Sequence, residues 1–71
     1  MINTRKMKAR LAELGLSQKD FAECLGIATA TANQKINNVR PMNLEEAEKI
    51  CKLLNIEPDQ FASYFFAQEI A

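Results

Sequence analysis

The 71-residue chain holds no histidine and two cysteines, Cys24 and Cys51, so its stock of nucleophiles and bases is small. Either cysteine would need an activating base that the composition does not supply, and two Cys without His cannot build the usual four-ligand zinc site. There is no glycine-rich phosphate loop. Catalysis is therefore not expected, and no cofactor or metal is expected. The side chains that can do chemistry are instead hydrogen-bonding ones, concentrated in one short stretch: Thr29, Asn33, Gln34 and Asn37, followed by Asn38 and Arg40. Carboxamides and hydroxyls at this density suit recognition of a polar partner rather than bond making.

What must position them is a set of helices. The spacing predicts five helices and no strands. The first covers about Thr4 to Leu14, with Met7, Leu11 and Leu14 as its apolar stripe and Gly15 as its stop. Ser17 caps the second, Asp20 completes a capping box, Leu16 and Phe21 form a hydrophobic staple, and Gly26 ends it. The third runs from about Thr29 to Asn37, with only Ala28, Ala32 and Ile36 to bury. A helix so polar must be held by its neighbours while its other side meets water or a partner. Asn43 and Glu46 cap the fourth, whose stripe is Leu44, Ala47, Ile50, Cys51 and Leu54. Asn55 takes the left-handed stop, and Pro58 opens a fifth helix with Phe61, Tyr64 and Phe65 on its apolar face. Cys24 and Cys51 fall at apolar helical positions and are expected as buried thiols. A redox pair or reactive nucleophile is the alternative.

Charge and composition narrow the class. Nine Lys+Arg balance nine Asp+Glu, but residues 1–40 hold seven cations and three acids, +4, while residues 41–71 hold two and six, −4. This split suggests a basic working face and an acidic rear, against the plainer reading of two solvated surfaces. Arg5, Lys6, Lys8 and Arg10 are either a phosphate-facing arm or an ordinary basic terminus. With no apolar run after the basic start and no stretch approaching a membrane helix, a cytoplasmic, soluble single domain is expected. So small a chain buries a modest core, and dimerisation would help it.

The most informative segment is Ser17 to Asn38. Two short helices are joined by Gly26-Ile27-Ala28. Ala22 offers the small residue a steep helix crossing needs, Gly26 tolerates positive φ in a tight turn, and Ile27 is an apolar plug between the helices. That is helix-turn-helix geometry, with the polar helix second.

At this point the sequence resembles the lambda-repressor-like (Cro-type) helix-turn-helix family. The words that carry the likeness are Leu16-Ser17-Gln18-Lys19-Asp20-Phe21-Ala22-Glu23-Cys24-Leu25-Gly26-Ile27, then Lys35-Ile36-Asn37-Asn38, then Leu44 to Ile56. It spans about residues 5–66 of a single domain, 1–71, and is similar to the short phage or mobile-element regulators that consist of this domain alone. The fold it implies is all-α, a compact five-helix bundle with a helix-turn-helix. The function it implies is a double-stranded DNA-binding transcriptional regulator. Thr29, Ala30, Asn33 and Gln34 are then base-edge contacts in the major groove. Ser17, Gln18, Thr31, Lys35, Asn38 and Arg40 are phosphate contacts, with Gln18 also bracing a residue of the reading helix. The family usually starts that helix with Ser or Thr where this chain has Ala28, so Thr29 is the candidate cap one residue later. Lys35 stands at a commonly apolar position, and Ile36 takes its role. Arg40 has a second candidate partner in an acid such as Glu45.

The aromatic end has Phe61 and Phe65 as core. Tyr64, Phe66 and Ile70 cannot all share that face, and the apolar surface left over suits a homodimer contact. No membrane and no small-molecule effector are expected. A protein-binding module on the same fold, such as an antitoxin or antirepressor, is the alternative function.

Overall fold

The first four helices of this chain are stopped by the same backbone device. In the computed structural model, which describes residues 1–66, α1 spans Thr4–Glu13, α2 Gln18–Leu25, α3 Thr29–Ile36 and α4 Leu44–Leu54. A 3-10 turn at Pro58–Gln60 leads into α5, Phe61–Phe65, and no strand occurs among the described residues. After each of the first four helices one residue adopts a positive φ: Gly15 at 69°, Gly26 at 67°, Asn38 at 63° and Asn55 at 53°. The residue that follows is apolar and returns its N–H to a carbonyl five positions back: Leu16 to Leu11 at 2.8 Å, Ile27 to Ala22 at 3.0 Å, Val39 to Gln34 at 2.8 Å and Ile56 to Cys51 at 2.9 Å. This pattern satisfies the carbonyls a helix end leaves unpaired. Gly15, Gly26 and Asn55 were legible as such stops. Asn38 reads from sequence only as part of a turn.

The starts are capped by side chains. Asn3 accepts from the Lys6 N–H, Ser17 and Asp20 form a reciprocal capping box, and so do Asn43 and Glu46. α3 differs. Its N-cap position is Ala28, which has no side chain to offer, and Thr29 is the first helical residue rather than a cap.

One core unites the elements. Phe21, Met7, Ile36, Ile50 and Leu54 are fully buried, joined by Ile2, Leu11, Ala22, Ala32, Ala47, Ile56, Tyr64 and Phe65. α2 packs on both α3 and α4, and α1 packs on α5. Three stripe positions depart from expectation. Leu14 is exposed because it lies at the C-cap of α1, beyond the last turn that faces the core. Leu44, the first residue of α4, is 64% exposed, and Ala28 is exposed in the turn. Cys24 and Cys51 are half-buried rather than interior. Tyr64 is buried and Phe66 is 63% exposed, while Ile70 lies outside the described residues.

The basic N-terminus is used in part for structure. Arg10 donates from Nε to the Leu54 carbonyl at 2.8 Å, placing a cation at the C-terminus of α4 where the helix dipole favours it. Lys6 donates to Ser63 Oγ at 2.8 Å and sits 4.7 Å from the centre of the Tyr64 ring. Arg5 and Lys8 remain exposed.

A Cβ added at Gly26 would meet nothing within 4 Å, so any cost of substitution there is backbone strain alone. Gly26→Val is expected to lower Tm by about 5–15 °C, while Gly26→Asn, which tolerates the left-handed region, should lie much closer to wild type. Thermal unfolding followed by circular dichroism checks this. Equal Tm for wild type and the Val variant would contradict the strain argument.

Candidate nucleic-acid interface

The α2–turn–α3 unit is held in place from within. α3 buries Ala32 and Ile36 on one side, and Ala22 of α2 is buried beside it. Ile27, in the turn, packs half-buried against the core. Thr29, Ala30, Asn33 and Asn37 are left on the exposed side of α3. No Asp or Glu occurs in the sequence between Glu23 and Glu45, so α3 and both its flanking turns carry no carboxylate.

Polar contacts lock this exposed side. Asn33 Nδ2 donates to Gln18 Oε1 at 2.8 Å, so the first residue of α2 braces the middle of α3. Asn37 Nδ2 donates both to Asn33 Oδ1 at 2.7 Å and to the Asn33 carbonyl at 2.9 Å. Arg40 Nε donates to Gln34 Oε1, drawing the turn after α3 toward the helix. Gln34 is half-buried and Arg40 exposed, and no acid among the described residues is paired with Arg40. Glu45 instead lies 4.0 Å from Lys49, one turn along α4.

Lys35 turns inward. Its Nζ lies 3.0 Å from Glu46 Oε1 and donates to the Pro41 carbonyl at 3.1 Å, with 13% of its side chain exposed. The same Glu46 oxygen accepts the Asn43 N–H of the α4 capping box. Lys35 therefore joins the last turn of α3 to the first turn of α4. Burial works to raise the Glu46 pKa, but the Asn43 N–H and the Lys35 ammonium outweigh it and hold the carboxyl below its usual range. Asn38, though exposed, turns its amide to the start of the chain. Its Oδ1 accepts the Ile2 N–H at 2.8 Å, and its Nδ2 donates to the Ile2 carbonyl at 2.9 Å and lies 3.4 Å from Thr4 Oγ1. Thr4 Oγ1 in turn donates to the Ile36 carbonyl at 2.7 Å.

Ser17 keeps to its cap: its hydroxyl donates to Asp20 Oδ2 at 3.1 Å and accepts from the Asp20 N–H. The Ser17 N–H, and then its hydroxyl, lower the Asp20 pKa. Thr31 is half-buried on α3. The structure thus gathers Gln18, Asn33, Asn37, Gln34 and Arg40 into bonded sets. It shows Thr29 and Ala30 exposed without such ties, and commits Lys35 and Asn38 to internal contacts. Asn37, placed on the polar face without a role, and Glu46, read only as a helix cap, are the members whose part in the site sequence reasoning left unassigned. The i, i+4 spacing of Asn33 and Asn37 was the available signal for the first.

The Cys51 thiol is not poised for reaction. Burial, and then the nearby Glu48 charge, push the Cys51 thiol up.

Apolar surface lies elsewhere. An open groove of about 450 Å³ runs along α4 past the 3-10 turn, lined by Leu44, Cys51, Ile56, Pro58 and Phe61, with Glu48, Lys52 and Glu57 at its edges. Leu44 and Phe61 also line a neighbouring groove with Met42, Phe65 and Phe66.

Residues 6–67 match the family described as the Cro/C1-type HTH DNA-binding domain, and the chain belongs to that family. No curated protein and no solved structure matches it significantly. Five helices, the absence of strands among the described residues and the α2–turn–α3 unit agree with this membership. No helix among the described residues is long and apolar enough to cross a membrane.

Because the folded-state pKa of Glu46 is depressed, its contribution to stability is full above the ordinary value of 4.5 and is lost as pH falls through the lowered one. Glu46→Gln, which keeps an acceptor for the Asn43 N–H but loses the charge, is expected to cost about 1 kcal/mol at pH 7. It should also flatten the loss of stability below that value. Urea unfolding at several pH values measures both effects. Parallel curves for the two proteins would remove the Lys35–Glu46 pair from the stability of the α3–α4 junction.

Proposed function

We propose that this member of the Cro/C1-type family is a sequence-specific regulator of transcription, a repressor of the phage or mobile-element kind, that reads double-stranded DNA with α3 in the major groove. The observation that carries the reading is the exposed side of α3: amides and a hydroxyl, no carboxylate, held in register by Gln18 and Arg40. Thr29, Ala30, Asn33 and Gln34 are its base contacts. A carboxamide can pair with the N7 and N6 edge of adenine, and Ala30 and the Thr29 methyl can meet a thymine methyl. Gln18, Arg40, Ser17 and Thr31 are its phosphate contacts. Lys35 and Asn38 serve the interface at one remove. One pins α3 to α4, and the other fastens the chain start to the end of α3.

The working form is a homodimer through the apolar surface around Phe61, Phe66 and Leu44, beside α5. A twofold axis there would cover that surface and present two copies of α3 to successive major grooves, about 34 Å apart. Occupancy of an operator would then block or recruit polymerase in the cytoplasm, with no catalysis by the chain. The competing reading, a module that binds another protein, would draw on the same apolar surface. The absence of carboxylate from the exposed side of α3 favours DNA.

The test is a mobility shift with duplexes from around the protein's own gene at two salt concentrations, with the mass of the complex measured. A shift that weakens steeply with salt, at the mass of two chains per duplex, is expected. Failure to be retained on heparin at low salt and to shift any duplex would favour the protein-binding reading.

Asn33→Ala or Gln34→Ala is expected to cost about 1–3 kcal/mol on the preferred site and to relax the choice at one base pair. Equal loss on every sequence would refute base reading. Arg40→Ala should weaken binding to all sequences and reduce the slope of log affinity against log salt by about one unit. An unchanged slope would take Arg40 off the phosphate backbone.

A further inference from the structure

We propose that Asn37, which makes no base contact in the reading above, sets the base preference of α3 by fixing which way the Asn33 carboxamide points. The inference rests on the DNA-reading function proposed for α3. A main-chain carbonyl can only accept, so the Asn37 atom 2.9 Å from the Asn33 carbonyl must be the amide nitrogen. The same NH2 group has its second N–H for the Asn33 side chain, 2.7 Å away, and that atom must be an oxygen. Asn33 is therefore oriented with Oδ1 toward Asn37 and Nδ2 toward α2, where it meets Gln18 Oε1 at 2.8 Å. With its oxygen turned inward, Gln18 holds its own NH2 away from Asn33.

One backbone acceptor thus propagates a single polarity through three carboxamides on two helices. Turning Asn33 over would set NH2 against NH2 at Asn37 and oxygen against oxygen at Gln18. The second clash could be relieved by turning Gln18, but the first could not without giving up the backbone contact.

The consequence is a defined reading head. A carboxamide has two N–H groups and two carbonyl lone pairs, and each side of Asn33 spends one of them inside the protein. One N–H and one lone pair remain, in fixed relative positions, which matches the acceptor and donor of an adenine edge. Guanine offers two acceptors at the corresponding atoms and is refused by the remaining lone pair. Gln18 keeps two N–H donors suited to a phosphate oxygen. Asn37 is a positioning residue, and its removal would let the Asn33 carboxamide take either orientation.

The experiment selects binding sequences from a randomised duplex pool with the full chain, its Asn37→Ala variant and the equal-sized Asn37→Asp variant, whose carboxylate can only accept. In parallel, proton–proton contacts of the side-chain NH2 groups are followed by NMR on the 15N-labelled proteins without DNA. The wild type is expected to select adenine at one position, with the Asn33 NH2 protons close to Gln18. Both variants should lose that preference by about fivefold or more at this position alone; Asn37→Ala should keep affinity for unrelated duplex within about twofold, whereas the new charge in Asn37→Asp lowers affinity for every duplex, so its preference is read as a ratio between sequences. In Asn37→Asp the Asn33 NH2 contacts should move to residue 37. A purely structural role would lower Tm and all binding together without changing the selected base. Undiminished adenine preference in both variants, or wild-type Asn33 NH2 protons close to Asn37 instead of Gln18, would overturn the inference while leaving DNA reading intact. A wild type that selects no sequence at all would overturn the DNA-reading function, and the inference with it.

Discussion

The constraint on which this structure turns is that α3 cannot hold itself. It is eight residues long, has no side-chain N-cap, and buries only Ala32 and Ile36. A helix of that length is far from stable alone in water, so its position must come from attachments outside it. The chain supplies them at three levels. At the start, the left-handed Gly26 and the inward Ile27 fix the angle between α2 and α3. In the middle, Gln18 holds Asn33. At the end, Lys35 on Glu46, Asn38 on Ile2 and Thr4 on the Ile36 carbonyl fasten α3 to α4 and to the beginning of the chain.

The same economy explains how the charges are used. Three of the cations in the basic half, Lys6, Arg10 and Lys35, are spent on Ser63 and the Tyr64 ring, on the end of α4, and on Glu46. Arg5, Lys8, Lys19 and Arg40 are left exposed. A surface with so few outward cations draws a modest share of binding from counterion release and correspondingly more from directed hydrogen bonds. That division fits an interface whose carboxamides are fixed before the partner arrives, since a prearranged donor and acceptor lose less freedom on binding.

Local grammar made much of this fold readable. The Ser17–Asp20 and Asn43–Glu46 boxes, the stops at Gly15, Gly26 and Asn55, and the Ala22–Gly26–Ile27 spacing each involve residues within a turn of one another, so the sequence alone states them. Errors fell where a stripe outran the core. Leu14 and Leu44 continue an apolar pattern, but they sit on terminal turns that point past the packed centre. Ala28 yields its expected burial to the turn. The family resemblance implied that Gln18 braces the reading helix, and it does so through Asn33; the ties of Lys35 to Glu46 and Asn38 to Ile2 were not readable, because they join residues 11 and 36 apart. For Lys35 and Asn38 this long-range pairing decided where the side chain went, and no local pattern announces it. The polarity of the amide chain is further removed still, since it depends on one backbone carbonyl lying beside a side chain one turn away.

In the function proposed above, the exposed side of α3 is the surface that meets DNA. The most direct measurement is a backbone amide NMR titration of the 15N-labelled chain with a duplex that it retards. The largest shift changes are expected on Thr29, Ala30, Asn33 and Gln34, with Gln18 and Arg40 beside them. Changes concentrated around Leu44, Phe61 and Phe66, with α3 unmoved, would contradict that function.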